Sequence, residues 1–207
     1  MRFTWPAPET VSTLNVAPGD RFDVLVEMNT EMDELVAQVY ARGHGQGVFT
    51  EAHVLHLLPT PQRSLPALPP YVSTRVVEPL DATGITPREV TFDEMTDAAG
   101  TRFFVNGETF PDVTPIEARI GDVQVWDLVN RSEMTHPFHL HGFFFQVVSR
   151  DDVPTTSRTW EDTIEFRGEE RVRIAFLPDE RPGMWMFHCH ILEHVHGGMM
   201  GMVDVAR

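Results

Sequence analysis

Residues Phe187–Met200 read FHCHILEHVHGGMM. The only cysteine of the chain, Cys189, stands here between two histidines. The residues before it, GMWMF, are apolar and read as a strand that ends in HCH. Successive side chains of a strand point to opposite faces. His188 and His190 therefore share one face and Cys189 takes the other. One peptide segment can thus serve two metal sites, one on each side.

A second histidine run, HPFHLHG, spans His136–Gly142. The two runs hold seven of the ten histidines of the chain. His139 and His141 are two apart and share a strand face. His136 stands outside that pair, before a proline that restricts the local backbone. Blue-copper sites use two histidines, one cysteine and a weak axial methionine. His194 follows Cys189 by five residues and Met199 follows it by ten. With His136 as the second imidazole, that donor set is complete. His139, His141, His188 and His190 are left for a second, histidine-only site. Zinc is the rival ion for a Cys/His cluster. The donors gathered here exceed what one zinc ion takes. His44, His53 and His56 lie outside both runs and read as structural or exposed.

The rest of the chain sets the frame. It has 207 residues, 42% of them hydrophobic, enough for a packed core. The formal charge of −15 opposes nucleic-acid binding, and no basic run offsets it. No apolar run approaches the ~18 residues of a membrane span. The start, MRFTWPAPETV, lacks the basic and apolar regions of a secretory leader. It reads instead as a strand entering a proline turn.

Strand patterns recur along the chain. DRFDVLVEM (Asp20–Met28), LVAQVYAR and EAHVLHLLP fill the first 60 residues, with a turn at APGD (Ala17–Asp20). Pro59–Pro70 contains five prolines and reads as an extended linker. Beyond it come REVTFDE, TRFFVNGETF, ARIGDVQVWDLVN, HPFHLHGFFFQVVSR, WEDTIEFRG, RVRIAFLP and GMWMFHCH. Asn106–Glu108 is a tight-turn signal. ILEHV has room for one helical turn. Many short strands at close spacing predict an all-β, Greek-key β-sandwich. The expected organisation is part of one domain over 1–60, a Pro-rich linker over 61–85 and a complete domain over 86–207.

HPFHLHG, HCHILEH and GMM together closely resemble the C-terminal copper signatures of multicopper oxidases of the laccase-like, three-domain type. FFVNGETF and WEDT extend the resemblance through the last cupredoxin domain. LNVAPGDRFDVLVE resembles the end of a middle cupredoxin domain. The resemblance implies a cupredoxin-like fold and copper as cofactor. It implies a type 1 copper on His136, Cys189 and His194 with Met199 axial. It implies type 2 copper on His139 and a type 3 pair on His141, His188 and His190. Cys189 with its flanking His188 and His190 is then the catalytic electron path from a small reducing substrate to O2, which becomes water. Phenols or metal ions are the expected reductants, and a periplasmic or secreted location is the family habit.

Two departures stand out. The family cluster uses eight histidines, and four occupy family positions in this sequence. The others come from HxH motifs of an N-terminal cupredoxin domain, whose spacing neither GHG nor HVLH has. The chain is then part of a longer oxidase, or pairs with a chain that supplies those ligands, or works as a blue-copper electron-transfer module. In addition, Val195 stands where many bacterial members carry an acidic residue. Glu193 and His196 are the nearby titratable groups, and Met134 is the candidate neighbour of the electron-entry side.

Overall fold

The computed structural model describes residues 10–22, 24, 33–40, 49–57, 77–155 and 158–207. Residues 1–9, residues 23 and 25–28 of the strand expected at Asp20–Met28, and residues 61–76 of the expected linker lie outside them. The chain divides into two compact units: Arg21–Val72, and Met1–Asp20 with Ser73–Arg207.

In the smaller unit, β1 (Asp33–Tyr40) pairs antiparallel with β2 (Phe49–Leu57). A register shift interrupts the pair between Leu35 and Val36. His53 and His56 lie on β2; His44 is outside the described residues.

The larger unit is a two-sheet sandwich. Its strands are β3 (Arg88–Asp97), β4 (Gly100–Val105), β5 (Ile116–Arg119), β6 (Gln124–Asn130), β7 (His136–Leu140), β8 (Phe145–Arg150), β9 (Val153–Pro154), β10 (Thr163–Phe166), β11 (Arg171–Phe176), β12 (Gly183–Cys189) and β13 (Met200–Ala206). One sheet runs β10-β7-β12-β13-β5 and the other β4-β3-β6-β11-β8-β9. From β5 to β8 the chain alternates between the sheets, and β10 and β11 repeat the switch. Two pairings are parallel, β13 with β5 and β3 with β6. Crossovers and switches of this kind make the Greek-key sandwich that the strand spacing predicts. The turn at Asn106-Gly107 is also as expected. Both residues take positive φ, 54° and 76°, and Val105 and Glu108 exchange backbone hydrogen bonds of 2.9 and 3.0 Å. Asn and Gly tolerate that conformation best.

The core lies between the sheets and is aromatic. Trp126 meets Phe176 and Phe187 edge-on, and Phe92 meets Phe138 and Phe166 in the same way. Each of these rings is essentially buried. A buried side chain of this size stabilises by about 1.5–3 kcal/mol. Phe138 and Phe187 therefore pin β7 and β12 at the positions that set the histidine faces.

Candidate metal centres

β7 and β12 are adjacent antiparallel strands with His188 opposite His139 and Cys189 opposite Phe138. On β7, His136, Phe138 and Leu140 are buried and share a parity, while His139 is only partly buried. On β12, Phe187 and Cys189 are buried and His188 is partly exposed. The strand period thus separates two sets of candidate ligands. His136 belongs to β7 itself, and strand parity, rather than Pro137, divides it from His139 and His141.

The inner set meets inside the sandwich. Cys189 Sγ lies 3.7 Å from His136 Nδ1 and 3.5 Å from His194 Nδ1. The two Nδ1 atoms are 3.1 Å apart. Among the described residues, these three form the group whose donor atoms all lie within 4.8 Å of one another. Donors about 2.0–2.3 Å from one ion stand roughly 3–4 Å apart, so the spacing suits a single metal ion. His136 and Cys189 are fully buried and His194 nearly so.

Local structure explains how His194 and Met199 arrive. The one-turn helix α1 (Leu192–His196) carries His194 on its inner side. Phe103 of β4 stacks on that imidazole, centroids 4.2 Å apart and planes 23° from parallel. Gly197 N–H donates to Glu193 O and closes the helix. A Cβ on Gly197 would stand 2.5 Å from the Phe103 ring, and Gly198 takes φ +102°. Glycines here let the loop press onto β4 and turn back. Met199 then returns fully buried. Its N–H donates to His194 O at 2.9 Å, and its carbonyl accepts from Cys189 N–H at 3.2 Å. Both bonds tie the methionine backbone to ligand residues.

The outer set brings four imidazoles together. Ring centroids are 4.8 Å apart for His139 and His141, 5.5 Å for His139 and His188, and 5.4 Å for His139 and His190. His141 and His188 face each other through Nε2 atoms 2.9 Å apart. His139 Nδ1 lies 2.9 Å from both Asp162 O and Thr163 Oγ1. Thr163 Oγ1 itself donates to Asp162 Oδ1, so the imidazole Nδ1–H is the donor to both oxygens. That leaves His139 Nε2 as the donor atom for an ion. His188 is oriented in the same way, with its Nδ1 2.7 Å from Cys189 O. His190 continues the ladder through its N–H to Pro137 O at 2.7 Å. Its ring is exposed, and a Cβ on Gly19, in the Ala17–Asp20 turn, would come within 2.9 Å of it.

The electrostatics of both sets favour neutral ligands. Burial, with His194 nearby, pushes His136 down to about 3. Burial and then the neighbouring His141 take His139 down to about 4, against an upward pull from Asp162. Burial also lowers His141 and His188. These imidazoles are neutral near pH 7 and offer lone pairs to a metal. Burial pushes the Cys189 thiol up to about 12, partly opposed by the Ile191 N–H. A coordinated cation reverses that preference and holds the thiolate. The inner set therefore fits a soft, thiolate-binding metal, and its two imidazoles and thiolate are donors that copper favours.

The eight expected ligand positions thus fall on one sandwich, His136, Cys189, His194 and Met199 toward its interior and His139, His141, His188 and His190 on the other side of the same sheet. Asn130, Ser132, Phe103, Asp162 and Thr163, which touch the histidines or their partners, carry no assigned role in the sequence-based expectation, although Phe103 lies in FFVNGETF and Asp162 and Thr163 in WEDT. Asn130 and Ser132 lie in NRSEMTH, whose Asn and Ser are turn formers with side chains able to bond locally. Val195, on α1, is partly buried, and Glu193 and His196 are exposed.

A family model described as Multicopper oxidase matches residues 81–207. A laccase of Bacillus stratosphericus is 27% identical over 233 residues, covering 98% of this chain and 44% of the relative. A multicopper oxidase of Staphylococcus epidermidis is 35% identical over 110 residues, 50% of this chain and 24% of the relative. The McoA multicopper oxidase from the hyperthermophile Aquifex aeolicus has a TM-score of 0.70 at 28% identity, over 86% of this chain and 41% of its own. The chain therefore spans less than half the length of these relatives. The sandwich is cupredoxin-like, as the motifs implied. The matched region takes in both histidine runs and every strand from β3 to β13, and on that ground the chain belongs to the multicopper oxidase family.

Proposed function

We propose that this chain forms the C-terminal part of a laccase-like oxidase. In this reading, residues 1–60 are the end of a middle cupredoxin domain, 61–85 a linker and 86–207 the copper-binding domain. His136, Cys189 and His194 hold a type 1 copper with Met199 axial. His139 binds type 2 copper, and His141, His188 and His190 bind a type 3 pair. Copper in these positions supplies one-electron redox chemistry, coupling oxidation of a small reductant, a phenol or a metal ion, to reduction of O2 to water.

The observation that carries this reading is the parity of β12. Cys189 faces the interior while His188, beside it, lies opposite His139 on the other face. Cys189 thereby gives the inner site a short covalent route to the two flanking outer imidazoles, His188 and His190. Phe138 and Phe187, buried beside it, keep water from the sulfur and hold the thiolate in a dry setting. The bonds that His139 Nδ1–H donates to Asp162 O and Thr163 Oγ1 aim its ring. The remaining cluster ligands belong to an N-terminal cupredoxin domain or to a partner chain, and the location is periplasmic or secreted.

A second reading is a blue-copper electron-transfer module. It is favoured by the inner donor set, which is complete within this chain, whereas the outer set holds half of the cluster ligands. Oxygen uptake with a phenolic reductant, measured on the copper-loaded chain assembled with the domain or chain that supplies the remaining ligands, separates the two. Uptake that disappears in Cys189→Ser supports the oxidase. Rapid reduction of the chromophore without oxygen uptake supports the carrier.

A further inference from the structure

The loop before β7 carries a chain of hydrogen bonds that ends on His136. Asn130 Nδ2 lies 2.7 Å from Met134 O and 2.8 Å from Arg167 O. Both are backbone carbonyls and only accept, so the amide must face them with its NH2. Asn130 Oδ1 is then turned toward Ser132, whose backbone N–H donates to it at 3.0 Å. The Ser132 hydroxyl is 2.9 Å from the same Oδ1. The hydroxyl proton points there, because turning it to His136 Nε2 would leave two acceptor oxygens facing each other at 2.9 Å. The other oxygen in reach, Met134 O at 3.4 Å, is also an acceptor. With its proton committed either way, Ser132 Oγ must accept from His136 Nε2, 2.8 Å away. His136 Nε2 therefore carries the proton.

We infer that Asn130 and Ser132 are positioning residues that lock His136 in its Nε2–H tautomer and so present Nδ1 as the metal-binding atom before an ion arrives. The inference deepens the copper-site reading and rests on it for the identity of the ion. All three residues are buried, with 2%, 5% and 0% of their surface exposed for Asn130, Ser132 and His136. Water is thus excluded as an alternative partner. The opposite ring nitrogen, Nδ1, faces Cys189 Sγ and His194 Nδ1, the atoms with which it would share a metal. The loop is braced independently of the hydroxyl. Glu169 N–H donates to Ser132 O at 3.0 Å, and Asn130 N–H to Glu170 O at 3.0 Å. Removing the Ser132 hydroxyl therefore takes away the tautomer control and leaves the loop anchored.

The test begins with the metal-free protein. Long-range proton–nitrogen NMR should report His136 protonated at Nε2 and bare at Nδ1. In Ser132→Ala the same ring should show a mixture of tautomers, and Ser132→Thr should restore the parent pattern. Copper affinity, measured by competition with a chelator, should fall about 10–100-fold in Ser132→Ala and recover in Ser132→Thr. A parent His136 protonated at Nδ1 overturns the inference, as does a Ser132→Ala protein with unchanged tautomer and affinity. If Ser132→Ala does not fold, the parent NMR pattern still decides. A parent protein that shows the Nε2–H tautomer but gives no thiolate-to-copper band overturns the copper reading and leaves the tautomer assignment standing.

Discussion

The Nδ1 atoms of His136 and His194 lie 3.1 Å apart, 58 residues apart in sequence. Both are buried beside the Cys189 thiol. A cation shared by these atoms replaces their hydrogen bond with coordinate bonds. Copper should therefore stabilise the fold. At a hundred times its Kd, a ligand specific to the native state adds about 2.7 kcal/mol. For the larger unit that corresponds to a rise in Tm of roughly 5–10 °C. Thermal unfolding with and without copper measures it, and His136→Ala should show a much smaller rise. An equal rise in the two proteins would place the stabilising ion elsewhere.

Met199 is buried and its backbone is bonded to both Cys189 and His194. Its thioether is the proposed axial donor. Met199→Leu keeps the volume and removes the sulfur. The coloured band should remain and the reduction potential should rise, because a weak axial ligand tunes the potential of such sites. Potentiometric titration of the two proteins checks this. Unchanged potential would remove Met199 from the coordination sphere.

Asp127 on β6 stands opposite Arg173 on β11. Arg173 donates to it through Nε at 2.6 Å and Nη2 at 2.8 Å, and Arg171 adds a bond of 3.1 Å. The hydrogen bonds from Arg173, ahead of its charge and that of Arg171, hold the carboxyl below its ordinary range. The folded value thus lies below the unfolded one. The stabilisation is full above the unfolded pKa and is lost as pH falls through the folded value. Asp127→Asn should cost about 1–2 kcal/mol at neutral pH, trimmed by the partial exposure of the arginines. Its Tm deficit should shrink on acidification. A deficit that stays constant from neutral to acid pH would contradict the ion pair.

Gly142 follows His141, just beyond the end of β7, and takes φ +77°. A Cβ there would stand 2.4 Å from the Trp185 ring. Gly142→Ala should cost about 1–3 kcal/mol through this overlap and the left-handed backbone. The denaturant midpoint of the variant checks it, with a neutral substitution as the contrary result.

Much of the site is legible in the sequence because a strand has a period of two. HCH and HLH declare their faces without any tertiary information, and the five- and ten-residue offsets of His194 and Met199 need only one helical turn and a glycine return. The sandwich is legible for the same reason, from alternating runs such as RVRIAFLP and the Asn106-Gly107 turn. What the sequence hides is set by chain crossings. Phe103 reaches His194 from β4. The Ser132–His136 bond depends on an amide held by carbonyls from two separate loops. The carbonyl that orients His139 belongs to Asp162, whose contribution there does not depend on its side chain.

The most direct test is copper content and visible spectrum on one copper-loaded sample, compared among the parent, Cys189→Ser and His139→Ala. Two sites divided by the parity of β12 predict an intense thiolate-to-copper band in the parent and in His139→Ala. They predict its loss in Cys189→Ser, together with about one copper per chain. A band that survives in Cys189→Ser, or one that vanishes in His139→Ala, would contradict the division of ligands between the two faces.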